Sequence, residues 1–156
     1  MAKFDIKIEK SGSQFNVQVN GTIDEDVDFN AFPLAGASQV NMNLENVKSI
    51  NSCGIREWIK WLSVAQGAGV TYANCPKIIV DQINMVQGFL PAGGKVTSFY
   101  VPYYADETGE EKNVLFKFGT EYNENSVTPP AKVVDSSGKE TEMDVVEAKY
   151  FKFIKK

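Results

Sequence analysis

Histidine is missing from this chain altogether and cysteine nearly so, with two thiols in 156 residues. The first absence removes histidine-based triads, histidine metal sites and imidazole acid–base chemistry together. Two cysteines, Cys53 and Cys75, are too few for a disulfide framework. No apolar run approaches the ~18 residues that cross a bilayer. Basic charge is not in excess either: the net charge is -4 and the lysines are scattered, so no footprint for nucleic acid is visible. The terminal pair Lys155 and Lys156 reads as solvation. No glycine-rich phosphate cradle occurs. The acidic cluster Asp24, Glu25, Asp26 and Asp28 lacks the glycine and glutamate of a calcium loop. The first ten residues alternate charge with Phe4, Ile6 and Ile8, which is a strand pattern and not a signal peptide. The expectation is a soluble cytoplasmic protein with no metal, cofactor, nucleic-acid partner or membrane insertion.

What is present is enough for one ordinary domain, or a compact domain with an appendage. Phe4 to Glu9 and Phe15 to Val19 alternate as two strands of a hairpin. Gly21 is expected to break the second strand, and Val27 to Pro33 to form a short helix. Val40, Met42 and Leu44 alternate with Asn41, Asn43 and Glu45, the period of a half-buried strand. After Asn51-Ser52-Cys53-Gly54, the residues Ile55, Trp58, Ile59, Leu62 and Ala65 fall at helical spacing on one face. Val70 to Ala73 is a short strand, which completes a strand–helix–strand unit of parallel-crossover length. Pro76 sits where a second helix can begin, with Ile79, Ile83, Val86 and Leu90 as its inward stripe. Pro91-Ala92-Gly93-Gly94 closes it and marks the expected boundary between residues 1–92 and 96–156. Beyond it, Val96 to Tyr104 and Val114 to Phe118 make a long hairpin. A polar, proline-interrupted loop and a turn at Asp135 to Gly138 follow. The end is a short strand and a helical turn within Asp144 to Ile154.

These residues resemble a known family. Val19-Asn20-Gly21-Thr22-Ile23-Asp24 looks like the strand entry of a STAS domain, and Val40 to Leu62 looks like its core. The match extends through Gly69 to Asn74 and the helix up to Leu90. STAS domains are the fold of bacterial anti-sigma-factor antagonists and of sulfate-transporter tails. The resemblance implies a mixed-sheet α/β module with helices packed on it, working by binding and not by catalysis. The usual switch is a serine immediately before the glycine of this turn, phosphorylated by a partner kinase. Here Cys53 stands at that place and Asn51 replaces an acidic residue. Ser52 is the candidate substitute phosphosite, or else a helix N-cap. Residues 96–156 look like a degenerate zinc ribbon, in which Ala105, Thr108, Val134 and Ser137 occupy the four cysteine positions. With no thiolate or imidazole there, zinc has no donors. The expectation is a small β-rich appendage held by Phe99, Tyr103, Leu115, Phe116, Tyr150 and Phe153.

The functional expectation is a non-enzymatic regulatory module that docks a protein partner through Asn51, Ser52, Cys53 and Gly54. The partner would be an anti-sigma factor, a serine-kinase-like protein or another regulator, and a homodimer is open. Trp61, on the flank of the helix stripe, belongs to that interface, covers the edge of the core or docks the C-terminal hairpin. A small-ligand or lipid-handling module linked to a transporter is the alternative. A thiol enzyme built on Cys53 would want an imidazole base, and the chain has none.

Overall fold

A computed structural model describes residues 4–154 except Gln66 and Ala92. Lys155, Lys156 and the Ala92 position of the expected boundary therefore lie outside the described residues. Strands β1 (Asp5–Ser11) and β2 (Gln14–Ile23) form the predicted antiparallel hairpin, turning at Gly12, whose φ is +62°. β3 (Gln39–Ile50) runs parallel to β2. It is followed by α1 (Ser52–Ser63) and β4 (Gly69–Ala73), then α2 (Lys77–Met85) and β5 (Lys95–Val96). The sheet order is β1-β2-β3-β4-β5, with every pair after the hairpin parallel. The expected crossover is present, because Met42 on β3 pairs with Tyr72 on β4. The chain is an α/β protein with a five-stranded mixed sheet.

Gly21 does not end β2. It adopts φ +93°, and its neighbourhood is a bulge through which the strand continues to Ile23. The register shows why. Gln18 and Asn20 face Asn43 and Asn46, and Gly21 and Thr22 face Val47 and Ser49, so β3 carries one extra residue at each place. Bulges bend a strand and increase its twist. They also re-phase it: the buried residues of β3 step from Val40, Met42 and Leu44 to Val47.

α1 forms where its apolar spacing predicts. Trp58, Leu62 and Ala65 are buried, while Ile55 and Ile59 are half-buried. The buried sector is rotated toward Trp61, because the segment before β3 folds over that flank. A 3-10 turn at Phe29–Ala31, shorter than the predicted helix, places the Phe29 ring flat against Trp61 at 4.6 Å between centroids. α2 stops five residues short of the predicted end. Gly88, at φ +89°, reverses the chain so that Phe89 slides beneath Trp58, ring centroids 5.6 Å apart and nearly parallel. Beneath them Trp58 Nε1 donates to the Tyr72 hydroxyl (2.9 Å), which donates to the Phe89 carbonyl (2.6 Å).

The second sheet contains β6 (Ser98–Tyr104) between β7 (Glu111–Lys117) and β8 (Glu142–Met143), and α3 (Glu147–Tyr150) follows. Phe99 is its centre, within 5.0–6.1 Å of the rings of Phe116, Tyr122, Tyr150, Phe151 and Phe153. Tyr122 is not in the predicted set, and Leu115 is only half-buried. The predicted boundary does not separate two cores. β5 lies beyond it yet pairs with β4, and Cys75 bridges directly to Phe99. The buried apolar residues of both halves form a single cluster.

Candidate functional site

The bend between β3 and α1 is built by Asn51. Its extended backbone (φ -112°, ψ 179°) leaves the strand, and its Oδ1 accepts from Gly54 N at 2.8 Å. Asn51, and not Ser52, is therefore the N-cap; its side chain satisfies one of the orphan donors of the first turn. Asn51 Nδ2 donates to Glu25 Oε2 (2.8 Å), and its backbone N–H donates to Ile23 O (3.1 Å). The Asn51 amide holds the Glu25 carboxyl below its usual range. The sequence offered no sign of this link across 26 positions.

Gly54 is buried against the end of β2. A Cβ there would stand 2.2 Å from Ile23 O and 2.6 Å from Ile23 C, both backbone atoms. Glycine is thus required by close approach and not by backbone dihedrals. Ser52 is exposed as the first residue of α1. Cys53 is half-buried, and the guanidinium of Arg56, the chain's only arginine, donates to its sulfur at 3.6 Å. Cys75 is a free thiol sealed in the core, and burial pushes its pKa up. The two cysteines form no disulfide.

The acidic cluster divides into separate tasks. Asp24 Oδ1 accepts from Asp26 N (3.0 Å), Asp28 Oδ1 caps the 3-10 turn through Asn30 N (3.1 Å), and Glu25 holds Asn51. Among the described residues no group of acidic or thiol side chains is arranged to hold a metal. Beside the bend lies a groove of about 640 Å³ lined by Glu25, Asp26 and Asp28 from the segment after β2 and by Arg56, Glu57 and Lys60 of α1. Trp61 lines its floor but does not project from it. The indole is 5% exposed, stacks on Phe29 and donates from Nε1 to Phe32 O (2.8 Å). Of the places expected for Trp61, it takes the core edge, because the 3-10 turn covers it.

Of the four ribbon positions, Thr108 and Ser137 are joined through Asp135, and none of the four carries a metal ligand. Asp135, buried between them, accepts from Thr108 Oγ1 on Oδ2 (2.5 Å). Its Oδ1 accepts from Ser137 N (2.9 Å), Ser137 Oγ (2.8 Å) and Lys139 N (2.9 Å). The turn from Asp135 to Gly138 was readable in sequence; its bond to the Thr108 turn was not. The Thr108 hydroxyl first, and then the neighbouring N–H groups and Ser137, bring the carboxyl down to about 2. A hydrogen-bonded carboxylate here joins two turns that the ribbon resemblance would join by zinc.

No helix among the described residues is long and apolar enough to cross a membrane. Comparison with protein-family models, curated proteins and solved structures gives no match to this chain.

Proposed function

We propose that this protein is a non-enzymatic regulatory module of the cytoplasm that docks a protein partner through the start of α1. It acts as a STAS-like antagonist held in its unphosphorylated, binding-competent form, with an anti-sigma factor or kinase-like regulator as partner. The observation that carries this reading is the rigid, outward-facing Asn51–Cys53 segment. Three hydrogen bonds and the close seating of Gly54 fix its shape. A partner would meet a preformed surface, so little ordering entropy would be lost on binding. The adjoining groove, lined by charges of both signs, would set orientation more than affinity.

Cys53 occupies the position where the resemblance places a phosphorylated serine. A thiol is not a serine-kinase substrate, so the charge of about -2 that phosphorylation brings does not arise at that position. The test uses Ser52→Arg, because Ser52 is exposed and tolerates a long side chain, whereas any side chain at Gly54 strikes backbone. Bait carrying Ser52→Arg should lose a partner that the wild-type chain and a distant Lys132→Glu variant both retain from the native cell. Recovery of the same partners by all three baits would refute the proposal.

A further inference from the structure

β1 is an open edge of the first sheet. Ser13 O accepts from Ser38 N (2.8 Å) and Gln39 N (3.4 Å) at the start of β3. The N–H of the same trans peptide, on Gln14, therefore points the other way, to β1. Ser11 and Gln14 form a hydrogen-bonded pair, and bonded and non-bonded pairs alternate from there down the hairpin. Lys7 and Glu9 bond β2, whereas Ile6 and Ile8 turn their N–H and C=O groups outward. Among the described residues no backbone group pairs with them. Sheet edges are usually blunted by brevity, proline, a bulge or a cover. The opposite edge, β5, is only 2 residues long. β1 has 7 residues, no proline and an unbroken register with β2.

The side chains of β1 follow a self-matching pattern. Exposed Asp5, Lys7 and Glu9 alternate in sign on one face, and Phe4, Ile6 and Ile8 lie on the other. Across the hairpin those charges stand beside Asn20, Gln18 and Asn16, all neutral. Among the described residues none of the three charges forms an ion pair. Ile6 is buried, while Phe4 and Ile8 are only half-buried beside the open edge.

We infer that β1 pairs antiparallel with β1 of a second copy of this chain, about a two-fold axis through Ile6. In that register Asp5 opposes the partner's Lys7, and Lys7 opposes the partner's Asp5. These are non-hydrogen-bonded pairs, where opposed side chains stand closest and opposite charges attract. On the other face Ile6 meets its own copy and Phe4 meets the partner's Ile8. About six backbone hydrogen bonds form, two for each pair whose groups point outward. Self-complementarity selects both the occupant and the register. An axis through Lys7 would oppose Lys7 to itself and Asp5 to Glu9. An axis through Ile8 would set Ile6 against Lys10, whose ammonium lies over the Phe15 ring. Of the three, the Ile6 axis alone matches charge with charge and apolar with apolar. The inference does not rest on the partner proposed for α1.

The contact is smaller than a standard interface, so the dimer is reversible and half-formed at a concentration on the order of 100 µM. Sedimentation equilibrium of the full chain, from about 10 µM to about 1 mM, measures it. Asp5→Lys and Lys7→Asp, each alone, set like charges opposite one another and should weaken the dimer at least about tenfold. Mixed in equal amounts, the two variants set lysine against aspartate at both pairs, and dimerisation should return. Amide exchange reads the register. The Ile6 and Ile8 N–H groups should gain protection as concentration rises, whereas those of Lys7 and Glu9, bonded to β2 throughout, should not change. A wild-type chain that stays monomeric to ~1 mM would overturn the inference. So would single variants that dimerise as the wild type does, or protection gained outside β1 alone. A mixture that stays monomeric, although both variants keep the wild-type circular dichroism, would overturn it equally.

Discussion

Replacing Gly54 by alanine should destabilise the protein, although the same change in a free helix would stabilise it. In isolation alanine gains about 1 kcal/mol of helix propensity over glycine. Here the added methyl would stand 2.2 Å from the Ile23 carbonyl oxygen, with no flexible side chain able to yield. The start of α1 would have to move from the end of β2 by about 1 Å or more. Overpacking of this kind costs about 1–3 kcal/mol. The same displacement strains the Asn51 cap, worth about 1 kcal/mol, and the Asn51–Ile23 hydrogen bond, worth about 1 kcal/mol. The net loss is about 2–4 kcal/mol. For a chain of this size that corresponds to a melting temperature lower by roughly 5–15 °C. Thermal denaturation followed by circular dichroism measures it, with exposed Lys60→Ala expected to stay within about 0.5 kcal/mol as the control. An unchanged or raised melting temperature for Gly54→Ala would refute the close seating of α1 on β2.

Tyr72→Phe should cost about 1–3 kcal/mol in urea denaturation, because it orphans the buried Trp58 N–H and the Phe89 carbonyl together. The Asp135 carboxyl, held at about 2, is lower folded than unfolded, so its stabilisation is present above the unfolded value and lost as pH falls. Acid unfolding between pH ~4 and about 2 should therefore be flatter in Asp135→Asn than in the wild type. Iodoacetamide at neutral pH should modify Cys53 and spare Cys75 until the protein unfolds, as peptide mass mapping would show. Equal labelling of both thiols in the native state would contradict the sealed position of Cys75.

The parts of the fold with an unbroken period were legible. Val40 to Leu44 alternates cleanly and is a strand; Ile55 to Leu62 keeps helical spacing and is a helix. Legibility failed where the period was interrupted by geometry that spacing does not encode. The two bulges in β3 shift its inward positions, and Gly21 looked like a stop because a bulge glycine and a terminating glycine are the same letter. Trp61 was ambiguous for a different reason. Its cover, Phe29 and Phe32, arrives from about thirty residues earlier, and helical phase alone cannot reveal it. In the candidate site the bend itself was readable, but its cap was assigned to Ser52. Both residue types cap helices well, and only the backbone of Asn51 decides between them. The Thr108–Asp135 bond spans 27 positions and has no local signature.

Both tryptophans of this chain belong to α1, whereas five of its six tyrosines lie at or beyond Tyr100. Indole emission is consequently a private signal of the first sheet and its cover, blind to the aromatic nest around Phe99. Phenolic absorbance reports mainly on that nest. The molecule carries two colours of intrinsic label, one for each end of a continuous interior, and their melting curves can be overlaid without attaching any dye. Coincident curves would mean that the junction at Cys75 transmits collapse from one end to the other.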